Sequence, residues 1–293
     1  MIPYFEQPSI ELGPLRVAAF GVIVAASVAI GDRLFMHRVR SLRLDTDLAS
    51  GLGWYALIAG FLFAHFFALI FYFPEQIARD PSSLLKIWEN VSSFGGMIGG
   101  AAGAFLYVRL KKVNLSRRLR WAYFDAAAFI LPFGWAVGRA ACAVAHDHPG
   151  RVTRFPLAIS LSSRQARNYI AREYSAGGNA PPLIPPDGGG LGFHDLGWYE
   201  LLLLALIVCP LFFMLERRGV GRRRGDGFWV GLFAAIYGAM RLLLDTLRVA
   251  DARYFGLTPG QYAAIAMLCG GLVILVRNLR RSDTIAGGGP LLA

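Results

Sequence analysis

Apolar residues are gathered into long unbroken runs along this chain rather than spaced at amphipathic intervals. Seven runs stand out, at 15–31, 51–73, 92–110, 121–141, 198–215, 227–247 and 260–278. A helix that crosses a bilayer core of about 30 Å needs about 20 mostly apolar residues. The pattern therefore predicts an all-α, polytopic integral membrane protein of about seven transmembrane helices, with residues 1–293 forming one membrane domain. Run 92–110 opens with Gly95, Gly96, Gly99, Gly100 and Gly103. Small residues at that spacing let helices approach closely in lipid, which predicts a central helix rather than a lipid-facing one. Segment 142–197 is the one stretch long and polar enough to form a small cap or loop insertion, partly extended where Pro181, Pro182, Pro185, Pro186 and Gly188 to Gly190 cluster. No internal repeat is visible. No basic segment precedes the first apolar run, so that run is expected to be retained as a span.

Composition supports this picture. Of the 293 residues, 55% are hydrophobic and 17% charged, against roughly 25% charged in a soluble domain. Mean hydropathy is +0.47. The formal net charge of +11 would suggest nucleic acid in a soluble protein. Here the basic residues sit in short clusters between apolar runs, which reads as a topology signal and argues against a nucleic-acid partner. The denser clusters are Arg33 to Arg43, Arg109 to Arg120, Arg217 to Arg224 and Arg277 to Arg281. Assigning them to the cytoplasm puts the N-terminus and segment 142–197 outside and the C-terminus inside. The cysteines, Cys142, Cys209 and Cys269, form no CxxC pair. They predict buried thiols, with no metal centre, disulfide framework or cofactor.

Ionisable residues inside membrane spans are expensive and are functional candidates. Five are singled out: His65, Arg139, Glu200, Arg241 and Asp245. Tyr237, Arg241, Asp245 and Arg248 are spaced to share one helix face. They would line a cavity or, more simply, contain an internal Arg241–Asp245 pair. Arg139 either snorkels to the headgroups or binds an anion in a buried pocket. Two arginines from different spans could grip one phosphate, because guanidinium offers a planar fork of donors. Glu200 either favours a helix N-terminus or belongs to the same pocket. His65 fits a neutral ring bonded to a neighbouring helix. His146, Asp147 and His148 fit a solvated loop better than a zinc site.

Taken in order, several motifs resemble the prolipoprotein diacylglyceryl transferase family. They begin with Leu12-Gly13-Pro14, Phe71-Tyr72-Phe73-Pro74, Asp80-Pro81, Trp88 and Gly95-Gly96-Met97-Ile98-Gly99. The more specific ones are Pro132-Phe133-Gly134…Gly138-Arg139 with Gly150-Arg151, His194 with Tyr199-Glu200, and Tyr237-Gly238-Ala239-Met240-Arg241 with Arg248. The resemblance implies an enzyme of the bacterial inner membrane. It would move diacylglycerol from phosphatidylglycerol to the lipobox cysteine of a prolipoprotein signal peptide, forming a thioether and releasing glycerol phosphate. It implies Arg139 and Arg241 as the essential arginines; His146 and Asp147, which follow Arg139 at the outer boundary, are further catalytic candidates read from the residues themselves. Gly95, Gly96, Gly150, Tyr199, Glu200, Tyr237, Asp245 and Arg248 would be substrate-binding positions. The sequence departs from the family motif at several points. Phe94 stands where the family carries histidine, Cys142 where it carries asparagine, and Asp147 and Asp245 where it carries glutamate. Phe20 replaces a tyrosine and His65 an arginine. A phenyl ring cannot take a proton, so either His146, His148 or Asp147 serves as the base or the arginine clamp itself acidifies the substrate thiol. The alternative is a silent paralogue that binds anionic phospholipid or scaffolds a membrane partner.

Overall fold

The computed structural model describes residues 1–12, 15–87 and 90–286. Gly13, Pro14 and Trp88, three of the motif residues above, lie outside the described residues. The described residues are mostly helical, at 69%. In chain order it runs through the strands β1 (Ser9–Leu12) and β2 (Leu15–Ala18) into helices α1 (Ala19–Ser41), α2 (Thr46–Phe71) and α3 (Pro74–Arg79). A 3₁₀ turn (Pro81–Leu85), α4 (Ser93–Leu110) and α5 (Arg117–Ala145) follow. Next come β3 (Pro149–Thr153), β4 (Ile159–Ser160), α6 (Arg164–Ala176), β5 (Gly192–Asp195), α7 (Leu196–Leu203), α8 (Cys209–Arg217) and α9 (Val220–Arg224). The chain continues with α10 (Phe228–Leu244) and α11 (Pro259–Ala286).

Among the described residues, six segments are long and apolar enough to cross a membrane: α1, α2, α5, the α7–α8 stretch Leu196–Arg217, Phe228–Leu247 and Pro259–Asn278. This makes the chain a multi-pass membrane protein. The seventh expected span is α4, which falls outside those six. Its 18 residues rise about 27 Å, and its five glycines add little hydropathy. The first run also differs from expectation. Residues 15–18 are not helical but pair with 9–12 as an antiparallel hairpin, and the helix that follows runs on through the basic cluster to Ser41. Small sheets therefore accompany the helices.

Two compact units emerge. The first comprises Met1–Gly31, Ile130–Val220 and Met240–Asp251. In it, Gly134 and Gly138 let α1 close on α5: Ser27 Oγ donates to the Gly134 carbonyl at 2.8 Å, and a Cβ at Gly138 would lie 3.2 Å from that hydroxyl. The polar segment after α5 folds as a three-stranded antiparallel sheet, ordered β3-β5-β4, with α6 against it. Ile159, Leu161, Ala166, Ile170 and Phe193 form its core, joined by Ile2 and Tyr4 from the N-terminus. Between α7 and α8 the backbone widens into a π turn, Leu204–Val208. Pro210 follows and has no N–H for the ordinary helical bond, so the local register shifts.

The second unit comprises Asp32–Phe129, Gly221–Ala239 and Ala252–Ala293. Asp45 caps α2 by accepting from the Asp47 and Leu48 amides. Thr258 and Gln261 form a reciprocal capping box at the start of α11. The glycine face of α4 lies on α2. A Cβ at Gly95 would sit 2.8 Å from the Phe63 carbonyl, and one at Gly99 would sit 2.6 Å from the Ala59 carbonyl. Elsewhere along the helix Ile98, Phe105 and Leu106 are exposed, while Phe94 at its start is buried. The helix is thus close-packed along α2 but exposes large apolar side chains over part of its length, which corrects the expectation of a central rather than lipid-facing position. Replacing Gly99 by Ala forces a methyl against backbone, an overpacking cost of about 1–3 kcal/mol. A lower unfolding temperature in detergent, with Ile98→Ala as an exposed-face control that leaves it unchanged, is the expected result.

Candidate active site

In the first unit, three helices bring charged side chains to one place. α5 carries Arg139, α7 carries Glu200, and α10 carries Arg241, followed one turn later by Asp245. All four are between 0 and 3% exposed. Arg139 Nε lies 2.6 Å from Glu200 Oε2, and Arg241 Nη1 donates to Glu200 Oε1. Arg241 Nη2 contacts Asp245 Oδ1 at 2.9 Å. Glu200 is therefore bracketed by two guanidiniums from different helices, and Arg241 is bracketed by two carboxylates. Neither side chain could remain charged and buried without the other.

These contacts decide between the alternatives left by sequence. Arg139 does not snorkel outward but is buried. Glu200 is not a charge at a helix N-terminus: the N-cap of α7 is Asp195, which accepts from the Trp198 amide. The Arg241–Asp245 pair exists and extends to Glu200. The single helix face is corrected at its end. After Leu244 the chain tightens into a 3₁₀ turn, Asp245–Leu247, and Arg248 is extended, with ψ 144°. Arg248 pairs instead with Asp251 at 2.7 Å, and its backbone bridges to Gly150. A Cβ at Gly150 would lie 2.9 Å from the Leu247 carbonyl and from the His194 Cβ, so this crossing of chains needs glycine.

Arg139 has a second set of partners. Its Nη1 donates to Cys142 Sγ at 3.4 Å and lies 3.3 Å from His148 Nε2. The other ring nitrogen, His148 Nδ1, is hydrogen-bonded to Asp147 Oδ1. Partial burial pushes the Asp147 carboxyl up. The His148 ring, Arg139 and Arg248 more than offset this and hold it below the ordinary carboxylate value. The ligand atoms of Cys142, Asp147 and His148 lie within 4.8 Å of one another, close enough to hold a metal ion. The same atoms already bond one another and Arg139, and guanidinium is a poor neighbour for a second cation, so the donor set fits a hydrogen-bonded cluster better.

His146 lies elsewhere. It ends α5 with φ 53°, a left-handed conformation that histidine tolerates better than most residues. Its Nδ1 contacts Asp195 Oδ2 at 2.6 Å, the Tyr169 hydroxyl donates to its carbonyl, and Tyr4, Phe5 and Phe193 surround its ring. Tyr199 bonds His194 Nδ1 through its hydroxyl at 2.9 Å, and burial pushes the His194 imidazole down.

Gly95, Gly96 and Tyr237 belong to the second unit. There the buried Phe94 ring packs 6.2 Å from Tyr237, which stacks on Phe233. His65 is fully buried and bonds the Ser83 carbonyl at 3.1 Å, in the 3₁₀ turn rather than a neighbouring span. Sequence reasoning passed over Asp125, a carboxylate inside an apolar run that accepts from the Gly227 and Val230 amides at the start of α10. It also passed over Asp195, legible as an N-cap before Leu196. Cys269 is exposed rather than buried.

The family model described as prolipoprotein diacylglyceryl transferase matches residues 7–277. Curated relatives bear the name phosphatidylglycerol--prolipoprotein diacylglyceryl transferase. One from Phenylobacterium zucineum is 28% identical over 95% of this chain and 94% of its own length. Another from Chromohalobacter salexigens is 26% identical over 95% and 94%. A third from Vibrio cholerae is 28% identical over 95% of each. The match to the family spans most of the chain and contains the buried arginine–glutamate cluster, and the chain belongs to the prolipoprotein diacylglyceryl transferase family.

Proposed function

We propose that this protein transfers diacylglycerol from phosphatidylglycerol to the lipobox cysteine of prolipoproteins, in a bacterial inner membrane. The observation that carries the proposal, beside the family, is the convergence of Arg139 and Arg241 on one buried carboxylate. Transfer breaks the bond between the glycerol carbon and a phosphate oxygen, and negative charge grows on the departing phosphate. A preorganised guanidinium beside that oxygen stabilises the charge where it develops. Arg139 suits the task better than Arg241, because its Nη1 faces two neutral partners, Cys142 and His148, which a phosphate oxygen outcompetes as an acceptor. Arg241, held between Glu200 and Asp245, keeps Glu200 and thus Arg139 in place.

Gly150, Tyr199 and Arg248 would contact substrate from the same unit. Gly95, Gly96 and Tyr237 are assigned to substrate binding on sequence position alone. The charge asymmetry of the loops supports an N-terminus outside, a C-terminus in the cytoplasm and a cap over 142–197 that receives the acceptor peptide from outside.

The test is reconstitution of the purified protein in vesicles with a synthetic signal peptide bearing a lipobox cysteine, read by mass spectrometry. A diacylglyceryl mass gain is expected in phosphatidylglycerol vesicles and not in phosphatidylcholine vesicles. No gain in phosphatidylglycerol, beside an active family member assayed in parallel, overturns the proposal in favour of a silent lipid-binding protein.

A further inference from the structure

The acceptor thiol is a poor nucleophile until it loses its proton, so a transferase of this kind needs a group to take that proton beside the phosphate site. We propose that His148 is that base and that Asp147 is its positioning residue. The inference rests on the transferase reading above.

Three of the chain's five histidines lie in the first unit: His146, His148 and His194. His146 is 2% exposed, walled by aromatic rings and tied to Asp195, as befits a residue that ends a helix. His194 is paired with the Tyr199 hydroxyl. His148 is the imidazole that touches Arg139, and its side chain is 15% exposed.

The hydrogen-bond partners of His148 fix its tautomer. Guanidinium has five donors and no acceptor. The His148 Nε2 that faces Arg139 Nη1 at 3.3 Å must therefore present its lone pair. The ring proton then sits on Nδ1 and is donated to the Asp147 carboxylate. Asp147 is held ionised by its neighbours and stays available as that acceptor. This is the form of imidazole able to take a proton at Nε2, with the opposite nitrogen anchored by a carboxylate, the arrangement that orients histidine bases in hydrolases.

The geometry also couples the base to the donor lipid. In the structure the Nε2 lone pair is occupied by Arg139 Nη1. A phosphate oxygen is a stronger acceptor than imidazole nitrogen or thiol sulfur and draws Nη1 to itself. Nε2 is then uncovered beside the bound phosphate, whose ester oxygen carries the carbon to be attacked. The thiol proton moves to Nε2, the sulfur forms its bond to the glycerol carbon, and the carbon–oxygen bond breaks with its electron pair leaving on glycerol phosphate. His148 returns its proton to the released phosphate or to water and is neutral again.

The experiment compares two acceptor peptides under reducing conditions in phosphatidylglycerol vesicles. One carries the lipobox cysteine and the other a selenocysteine in its place, whose selenol ionises at neutral pH without a base. With cysteine, His148→Gln is expected to lose roughly 10²–10⁴-fold in turnover, and Asp147→Asn to lose less. With selenocysteine both variants are expected to approach the rate of the unaltered protein. A His148→Gln rate equal to that of the unaltered protein overturns the proposal. So does an equal loss with both peptides, which would mark a structural role. Should His148→Gln fail to fold, Asp147→Asn carries the comparison, since a loss not rescued by selenocysteine overturns the proposal just as well. No product from the unaltered protein with either peptide overturns the transferase reading and the base together. Product from it that is indifferent to His148 overturns the base alone.

Discussion

Arg139→Ala is expected to lower turnover by about 10²–10³-fold, the usual effect of removing one donor from a preorganised site for developing negative charge. The expectation extends to Arg139→Lys. Arg139 uses different atoms at once: Nε toward Glu200 and Nη1 toward Cys142 and His148. An ammonium is a single point of charge and cannot occupy both directions. If Lys settles on the buried Glu200 carboxylate, nothing is left to reach the phosphate. Turnover of the lipobox peptide in phosphatidylglycerol vesicles, together with the unfolding temperature in detergent, separates the two losses. Low turnover in a protein that still folds is the expected outcome for Lys. A Lys variant with the rate of the unaltered protein would mean that Arg139 supplies only net charge.

Much of the membrane architecture was legible because lipid imposes a simple rule. Every backbone group must be bonded within the segment, so long apolar runs are helices. The errors fall where that rule weakens. Residues 15–18 are as apolar as a helix start, but pairing with Ser9–Leu12 satisfies their backbone instead. At α4, Gly95, Gly99 and Gly103 do form the close-packing face that their spacing predicts. The expectation that the helix is central fails because a stripe of small residues says nothing about the rest of the helix, where Ile98 and Phe105 are exposed.

The candidate site was legible in part for the same reason. A charge inside an apolar run costs enough that it must have a partner, so Arg139, Glu200 and Arg241 stand out without a structure. Which of them meet is a tertiary fact, and spacing along the chain did not contain it. Spacing also misled at Arg248, since an unbroken helix was assumed where a 3₁₀ turn intervenes. His146 and His148 look alike in sequence. What separates them is the left-handed backbone at His146, which carries its own ring to Asp195 while the chain turns back to set His148 on Arg139.

Glu200→Ala should be the most destabilising single change in this cluster. Glu200 is fully buried and contacts both arginines. Removing its carboxylate leaves Arg241 with Asp245 but takes from Arg139 the buried carboxylate oxygen 2.6 Å from its Nε that now offsets its desolvation. Breaking a buried pair from one side costs about 3–5 kcal/mol, a fall in unfolding temperature on the order of 10 °C. Glu200→Gln keeps the shape and one acceptor oxygen and should cost less. The decisive comparison is the double variant Arg139→Ala with Glu200→Ala. If the loss comes from an uncompensated guanidinium, removing that guanidinium restores much of the stability, and the two changes are far from additive. Activity does not return, because Arg139 is needed for chemistry. Additive losses would instead mean that Glu200 acts by packing α7 against its neighbours, and that its charge serves the reaction rather than the fold.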